Sequence, residues 1–406
     1  MAEQALSSIK VIDLTWYITG AFSTKLLADY GADVIKVERP DGGDPMRRVG
    51  PFFKDDPHPE KSGPFLYLNC NKRGVTLNLK SQKGKEILKE LVKDADILVE
   101  SFRPHVMPGL GLDYDTLAKV NPRLVMTSVS NFGQTGPYRE FKSSELITMA
   151  MGHGLLFNGI GLEYPPVKYG GSVFLYEAGI TAASATLLGL FASRARGEGE
   201  HVDTSIQEIH LSSVDKMQNA ITTYQYEGVT QIRRNPQAGG VGRGAFPTQD
   251  GWIYLAGALT FWPKTCRMIG RPELINHPVY GDYSRHYDPE VVDEFNPILM
   301  EWCLQRTKDE CLLEAQKPGV ELASAPVNSP EDVVNNPHFR DRDIFAKVNH
   351  PAMGEVEMPG RIMVMSETPY AIRFPAPLLG QHNEEVYGKL GYSKQDLARL
   401  KGLEVI

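Results

Sequence analysis

Five short polar segments carry the arginine, lysine, asparagine and glycine residues that could hold an anionic ligand. They are Thr15–Gly20 (TWYITG), Arg39–Asp44 (RPDGGD), Asn69–Arg73 (NCNKR), Ser101–Pro104 (SFRP) and Asn131–Gly136 (NFGQTG). Guanidinium and ammonium groups neutralise phosphate, and exposed backbone N–H groups donate hydrogen bonds to it. A single arginine at a strand end is more often a plain surface residue. Taken together, the segments predict a site for a phosphorylated ligand.

These segments are positioned by strands and helices that alternate over the first 130 residues. Short apolar runs with β-branched residues predict strands at Lys10–Leu14, Asp33–Glu38, Thr76–Leu79, Ala95–Glu100 and Leu124–Val129. Helical spacing predicts helices at Ala21–Tyr30, Ser81–Lys93 and Tyr114–Val120. The alternation predicts a parallel sheet covered by helices on both faces. Because ligands bind beyond the carboxyl ends of such strands, we expect the polar segments to converge on one edge of the sheet.

The later part of the chain changes in composition. Ala178–Ala195 is rich in small residues and is predicted to be a buried helix, followed by a strand at 201–206. Arg233–Gly244 is rich in Gly, Pro and Arg and is predicted to be a loop. Its GGVGRG run does not stand between a strand and a helix, as a nucleotide-binding glycine loop would. We expect a large domain formed by 1–220 and completed by 331–406, with a small α+β domain at 221–330.

The composition is that of an ordinary globular protein. The 406 residues carry a net charge of −7 without a basic block, which argues against a nucleic-acid partner. The four cysteines are not at metal-binding spacing, and such sparse use is typical of a reducing compartment. Neither a secretory signal nor a run of about 20 apolar residues is visible. We therefore expect a cytoplasmic protein with no membrane partner, no metal and no permanently bound cofactor.

Motifs spread over nearly the whole chain match the pattern of one known family in order. They are KVIDLTWYITGAFSTKLLADYGADVIKVERPDGGDPMR, YLNCNKRGVTLNLKSQKG, ADILVESFRPHVMPGLGLDYDTL, NPRLVMTSVSNFGQTGPY, GEGEHVDTSIQE, PVNSPEDVVNNPHF and LLGQHNEEVYGKLGYS. In these motifs the chain resembles the family III CoA-transferases, the formyl-CoA and carnitine CoA-transferase family. The resemblance implies a Rossmann-type large domain, a small domain, and two chains interlocked as a dimer.

The resemblance also implies where coenzyme A binds as a thioester substrate. The residues that match the family's CoA-binding positions are Ile18, Thr19, Arg39, Asn69, Asn71, Lys72 and Arg103. Arg39 matches a CoA-binding arginine, and the segment from Asn69 to Lys72 matches one that lines the nucleotide and pantetheine. The polar segments chosen from residue type alone already include these positions.

The residue that forms the covalent intermediate in this family is missing from the chain. The resemblance implies that an Asp attacks the CoA thioester, forms an anhydride and then carries CoA as an enzyme-bound thioester. The matching stretch is Pro166–Gly179, and Leu175 occupies the nucleophile position. Glu177 is a candidate substitute, but in a helix two residues amount to a rotation of about 200°.

Related acyl-CoA racemases pair a His, in a GHDINY-like motif, with an Asp at the nucleophile position for proton transfer. The matching stretch here is Lys142–Thr148 (KSSELIT), which lacks the His. Because the Asp is also absent, a racemase is disfavoured.

The sequence therefore favours a CoA-transferase subunit that moves CoA between carboxylic acids, for example from succinyl-CoA to an aromatic or dicarboxylic acid. In the leading hypothesis it is the non-catalytic subunit of a heterodimer or a dimer of dimers, and a homologous Asp-bearing subunit is its partner, as in succinyl-CoA:benzylsuccinate CoA-transferases. The alternatives are a self-sufficient homodimer that uses Glu177 and a non-enzymatic acyl-CoA-binding protein. The aromatic residues that could form an acyl pocket, or else belong to the core, are Trp16, Tyr17, Phe132 and Tyr169.

Overall fold

The computed structural model describes residues 3–213, 215–230, 232–233 and 239–406. The strands are β1 (Lys10–Leu14), β2 (Asp33–Glu38), β3 (Lys72–Thr76), β4 (Ile97–Glu100), β5 (Val125–Ser130), β6 (Glu200–Ser205), β7 (Arg243–Pro247), β8 (Trp252–Ala256), β9 (Ser324–Pro326), β10 (Phe345–His350) and β11 (Gly354–Pro359). The helices are α1 (Thr19–Asp29), α2 (Gly63–Asn69), α3 (Gln82–Val92), α4 (Val106–Leu110), α5 (Tyr114–Ala118), α6 (Glu145–Met151), α7 (Gly154–Phe157), α8 (Val173–Arg196), α9 (Ile206–Ser213), α10 (Asp215–Glu227), α11 (Trp262–Met268), α12 (Pro289–Leu304), α13 (Lys308–Ala315), α14 (Pro330–Asn335), α15 (Pro337–Asp341), α16 (Asn383–Lys389) and α17 (Lys394–Gly402).

Six parallel strands form the central sheet, in the order β3-β2-β1-β4-β5-β6. Val11 in β1 pairs with Val34 in β2 on one side and with Ile97 in β4 on the other. The chain order reverses between β1 and β4, so the loops after these two strands lie at the point where ligands bind in such sheets. The α/β fold class predicted from the sequence is confirmed.

Alternate residues of the central strands pack against helices on opposite faces of the sheet. Ile12 and Leu98 belong to an apolar cluster that includes side chains of α3, α16 and α17. Val11 and Val99 belong to a second cluster with side chains of α1, α8 and α9. Because both faces are covered, nearly every residue of β1, β4 and β5 is buried, and the polar residues among them are buried as well.

Helix α8 packs closely against α1 through small residues. A Cβ atom added at Gly179 would lie 2.8 Å from the carbonyl oxygen of Thr19, so only glycine permits this approach. Ala178 and Ala182 are fully buried. The predicted helix is confirmed and begins earlier than expected, at Val173, but the prediction that it is buried holds for one face only. By length and hydropathy α8 also resembles a membrane-crossing helix, but this buried face packs within the larger part of the protein.

The chain divides into two compact units. The larger comprises 1–154, 168–230 and 342–406, and the smaller comprises 155–167 and 231–341. The smaller unit has its own antiparallel sheet, β7-β8-β9, and a core around Trp262 and Phe295. Arg233 holds the segment 155–167 in this unit by donating to the carbonyl oxygens of Gly161 and Tyr164. The sequence-based boundaries at 221 and 331 leave this segment out, because its bonds join residues far apart in the chain.

Two strands differ from their predicted positions. The sequence predicts a strand at Thr76–Leu79, whereas strand β3 begins at Lys72. A lysine can open this buried strand because its charge is compensated by Asp13, a residue distant in the chain. Strand β10 pairs with β11, and Arg361–Val364, a segment whose residue types also favour a strand, does not form one. Residues 234–238 of the predicted glycine-rich loop lie outside the described residues.

Candidate functional site

The loops after β1 and β4 are joined at the carboxyl edge of the sheet, where its strands end. The backbone N–H of Trp16 donates to Ser101 Oγ at 2.9 Å. The Trp16 ring meets the Phe102 ring edge-on, with centroids 5.4 Å apart. The guanidinium of Arg39, from the loop after β2, lies 5.2 Å from the centre of the Trp16 ring. Three of the five predicted polar segments therefore meet at this edge.

This edge offers positive charge and backbone donors. Arg39 and Arg103 are both exposed, and neither forms an ion pair among the described residues. Helix α1 begins at Thr19 with Ile18 as its N-cap, and no side chain caps its first N–H groups. Thr19 is buried and Ile18 is half-buried, so their backbone is better placed than their side chains to meet a ligand. A helix N-terminus and two exposed arginines on the adjoining loops together suit a phosphate group.

The other residues predicted to bind CoA have internal contacts at the amino end of β3. They are Asn69, Asn71 and Lys72, and all three side chains are fully buried. Lys72 Nζ lies 2.9 Å from Asp13 Oδ2 and donates to Asn69 Oδ1 at 3.0 Å. The Asn71 side chain donates to the carboxylate of Asp29. The expectation that this segment joins the others at the carboxyl edge is wrong, because it precedes its strand and does not follow it. Direct contact of these residues with CoA stays a prediction.

Lys72 belongs to a layer of buried charged side chains that project from β1, β2 and β3, among them Asp13 and Lys36. Lys36 Nζ lies 2.9 Å from Asp44 Oδ2 and donates to the carbonyl oxygen of Thr15 at 2.8 Å. Burial favours a higher pKa for Asp13, but the ammonium groups of Lys72 and Lys36 hold this pKa well below its ordinary value. Burial lowers the pKa of Lys72 to about 8, with Asp13 opposing the shift. The layer thus anchors the loops that follow β1 and β2.

A buried carboxyl group lies where β4 ends. Glu100 Oε2 accepts a hydrogen bond from the Phe102 backbone N–H at 2.7 Å. Burial raises the pKa of Glu100 to about 7, which hydrogen bonds from Ser128 and Phe102 oppose and the Asp203 carboxylate reinforces. Sequence reasoning treated Glu100 only as the end of a strand and gave no signal of this shifted titration.

A second buried carboxylate lies at the start of α8. Glu145 Oε1 accepts a hydrogen bond from the Phe174 backbone N–H at 2.9 Å, and Glu145 Oε2 pairs with Lys168 Nζ at 2.8 Å. Leu175, the next residue, is partly buried against the core on the α8 side of the sheet. Glu177 follows in the same regular helix, about 200° further around its axis. Sequence analysis missed Glu145, whose only local signal is an acidic residue in the first turn of a helix.

The aromatic candidates fall into different environments. Phe132 is buried beside the rings of Tyr138 and Phe141, as a core residue would be. Tyr17 is 51% exposed. The Tyr169 ring lies 5.6 Å from that of Phe174, at the start of α8. The structure therefore leaves Trp16, Tyr17 and Tyr169 as candidates for an acyl pocket.

Known proteins match the chain along almost its whole length. Residues 6–383 match the family model for CoA-transferase family III. The chain belongs to this family. One family III relative is the succinyl-CoA–D-citramalate CoA-transferase of Chloroflexus aurantiacus, 32% identical over 99% of this chain and 98% of that protein. Another is the beta subunit of the succinyl-CoA–L-malate CoA-transferase of the same organism, also 32% identical, over 99% of this chain and 98% of that one.

A third family III relative is subunit BbsE of the succinyl-CoA:(R)-benzylsuccinate CoA-transferase of Thauera aromatica. It is 31% identical over 98% of this chain and 97% of that protein. Among solved structures, a CAIB/BAIF family protein from Brucella suis superposes with a TM-score of 0.79 at 26% identity, covering 96% of this chain and 100% of that one. The family and the fold expected from the sequence are therefore both confirmed.

Burial keeps two thiols of this family III chain, those of Cys70 and Cys266, in the protonated form. All four cysteines, Cys70, Cys266, Cys303 and Cys311, are buried and free. Burial raises the pKa of the Cys70 and Cys266 thiols to about 12. Because the thiolate is the reactive form of cysteine, Cys70 and Cys266 are poor candidates for a nucleophile.

Proposed function

We propose that the chain is a CoA-transferase subunit that binds a CoA thioester but does not form the covalent intermediate. A homologous subunit that carries the family's Asp would supply the nucleophile. The observation that carries this proposal is Leu175, an apolar residue at the position of the Asp, in a regular helix. Anhydride formation needs a carboxylate, and a leucine side chain has none.

The proposed CoA site is the carboxyl edge of the sheet. The exposed Arg39 and Arg103 supply charge for the phosphates, and the uncapped start of α1 at Ile18 and Thr19 supplies N–H donors. The Trp16 ring, already in contact with Arg39, offers a surface on which a base can stack. The buried ion pairs of Lys36 with Asp44 and of Lys72 with Asp13 help to hold these loops in place.

The partner is proposed to be a related chain, and two observations support this. The names of several relatives denote subunits, among them the alpha and beta subunits of the L-malate enzyme. The outer face of α8 carries exposed apolar side chains, which are Ile180, Leu187, Leu188 and Phe191. Contiguous apolar surface of this kind favours a protein interface. We propose an interlocked, cytoplasmic dimer.

The proposed donor is succinyl-CoA and the proposed acceptor is a dicarboxylic or aromatic acid. Support comes from the relatives, whose names combine succinyl-CoA with D-citramalate, L-malate or benzylsuccinate. The named acceptors differ in size and polarity, so the side chains around the start of α8 are expected to set the choice.

A second candidate is a self-sufficient transferase that uses another carboxylate. Glu145 favours this candidate because its carboxylate contacts the backbone of Phe174, one residue before Leu175. Glu177 is the other carboxylate to consider, although the helix directs it away from the side of Leu175. A non-enzymatic acyl-CoA-binding protein is the remaining alternative.

Covalent trapping tests the proposal. The isolated chain is incubated with succinyl-CoA, treated with hydroxylamine and mapped by mass spectrometry, with Leu175→Asp as the comparison variant. We expect no adduct on the wild-type chain and, after the partner is added, an adduct on the partner's Asp only. An adduct on Glu145 or Glu177 would establish the second candidate. Native mass spectrometry of protein purified from its own host tests for the partner. If no partner is found and no adduct forms, the non-enzymatic alternative is favoured.

A further inference from the structure

Two buried polar side chains on α9 have no internal hydrogen bond. Gln207 and His210 lie three residues apart and therefore share a face of this helix. His210 is 1% exposed and Gln207 is 9% exposed. Neither ring nitrogen of His210 and neither amide atom of Gln207 has a hydrogen-bond partner within the described part of the chain. Buried groups of this kind are nearly always satisfied, so four unpaired atoms on one helix face need an explanation.

The two side chains lie beside the start of α8. The His210 ring meets the Phe174 ring edge-on, with centroids 4.1 Å apart. A Cβ atom at Gly152 would lie 2.5 Å from His210 Cδ2 and 2.7 Å from Gln207 Nε2, so the absence of a side chain there makes room for both. Phe174 is also the residue whose N–H binds Glu145. The unpaired groups are thus next to the position where the family's chemistry takes place.

A partner subunit does not reach these atoms in this conformation, because their own chain covers them. Gly152–Gly154 is one of the segments that bury the two side chains. The chain leaves the larger unit after Gly154 and returns to it at Lys168. Gly152 and Gly154 both lie against the His210 ring, and because they have no side chain, only backbone has to move for a ligand to reach α9. A small ligand, entering after such a movement, is therefore the group that suits Gln207 and His210.

We propose that Gln207 and His210 form a subsite for a hydroxyl group on the acyl chain of the CoA thioester. The inference rests on the proposed function and deepens it, because it names hydroxy acids as the substrate class. A hydroxyl group donates one hydrogen bond and accepts others, and both Gln and neutral His offer a donor and an acceptor. A hydroxyl group that accepts from one of the two side chains and donates to the other satisfies one donor and one acceptor among the four atoms that the chain leaves unpaired.

A carboxylate fits this subsite less well. Burial lowers the pKa of His210, which Glu145 opposes, so the imidazole is neutral at pH 7. An acceptor-only anion would leave the acceptor atoms of Gln207 and His210 unsatisfied. It would also approach the Glu145 carboxylate, whose charge is already matched by Lys168. A hydroxyl group adds no charge to this pair.

Calorimetry with matched thioesters tests the proposal. CoA, butyryl-CoA and 3-hydroxybutyryl-CoA are titrated into the wild-type protein, Gln207→Leu, His210→Leu and the control Ser212→Ala on the exposed side of α9. We expect the wild type and the control to bind the hydroxy thioester about tenfold more tightly than butyryl-CoA. The two α9 variants lose this preference and keep their affinity for CoA. Equal affinities of the wild type for the two thioesters would overturn the proposal.

Thermal unfolding without ligand supplies a second readout. Removing an unpaired buried polar group does not cost stability, so Gln207→Leu is expected to unfold at the wild-type temperature or above it. A clear fall would mean that Gln207 has a structural partner, and the subsite would be refuted. If CoA itself fails to bind, the proposed function falls and this inference falls with it. If CoA binds without a preference for the hydroxyl, only the inference falls.

Discussion

Lys72 Nζ and Asp13 Oδ2 lie 2.9 Å apart, and neither side chain has any exposed surface. The pair joins the first residue of β3 to Asp13, the last but one residue of β1, across the intervening strand β2. A lysine that resembles a ligand-binding residue in the sequence is therefore part of the support beneath the site. Its effect on CoA binding is expected to be indirect.

Replacing Lys72 by Met should destabilise the protein strongly. The change leaves the Asp13 carboxylate buried without its nearest cation, and breaking a buried pair costs about 3–5 kcal/mol. Urea unfolding measures this loss, with the exposed Lys80→Met as the matched control. Adding Asp13→Asn should recover part of it. A Lys72→Met protein of wild-type stability that no longer binds CoA would instead show that Lys72 contacts the ligand.

Replacing Arg39 by Ala should weaken CoA binding while leaving stability unchanged. Arg39 is exposed, and an arginine paired with a phosphate contributes about 1.5–3 kcal/mol. Calorimetry measures the affinity, and Arg123→Ala, an exposed arginine just before β5, controls for the change in net charge. Equal losses in both variants would indicate a general electrostatic effect and would remove Arg39 from the proposed site.

The sequence predicts the sheet well where the signal is local. β1 and β2 have the bounds that their apolar runs predict, and Ser81 caps α3 as expected. The contacts that decide the site are not local. Asn69–Lys72 has the composition of a ligand loop, and only the structure shows that Asn71 and Lys72 are bound to the distant residues Asp29 and Asp13.

The carboxylates beside the site were missed for the same physical reason. Glu145 accepts a hydrogen bond from the N–H group of Phe174, which is 29 residues away in the chain. No rule of sequence spacing connects the two residues. The pKa of Glu100 is set by burial and by Asp203, a distant residue in β6. By contrast, the proposal that Leu175 replaces the nucleophile depends on residue type alone, which can be read from the sequence.

Replacing Glu145 by Gln distinguishes support of the helix from catalysis. The amide oxygen still accepts from the Phe174 N–H, but the charge that pairs with Lys168 is lost. We expect about 1–3 kcal/mol of destabilisation, measured by urea unfolding, and unchanged turnover when the Asp-bearing partner is present. Glu145→Ala, which also loses the hydrogen bond, should be less stable still. If the Gln variant abolishes turnover at unchanged stability, Glu145 takes part in the chemistry.

Glu100 should make stability depend on pH. Its pKa is raised to about 7 from the ordinary value of 4.5, so between these values the folded state binds more protons than the unfolded state. The free energy of unfolding therefore falls as the pH rises through this window, by up to about 1.4 kcal/mol per pH unit, and levels off above it. The free energy of unfolding of Glu100→Gln should differ less between pH 5 and pH 8 than that of the wild type. Identical pH profiles would place the Glu100 titration outside this window.

The proposed dimer should not dissociate without unfolding. Interlocked chains separate only when one of them opens, so dilution alone has no route to a folded monomer. Analytical ultracentrifugation over a wide concentration range should show one species. Leu188→Glu, on the exposed face of α8, should lower the yield of that species, with the exposed Leu403→Glu as control. A reversible monomer on dilution would rule out the interlocked arrangement.

All four cysteines of the chain are buried, so the folded protein should not react with a thiol reagent. They are Cys70, Cys266, Cys303 and Cys311. A disulfide reagent added to the folded protein has no accessible cysteine to attack, so free CoA is the thiol that it reports. Release of CoA from a thioester can then be followed continuously, without separating protein from product. The same burial protects the chain from mixed disulfides with oxidised CoA, a hazard for a protein whose ligand ends in a thiol.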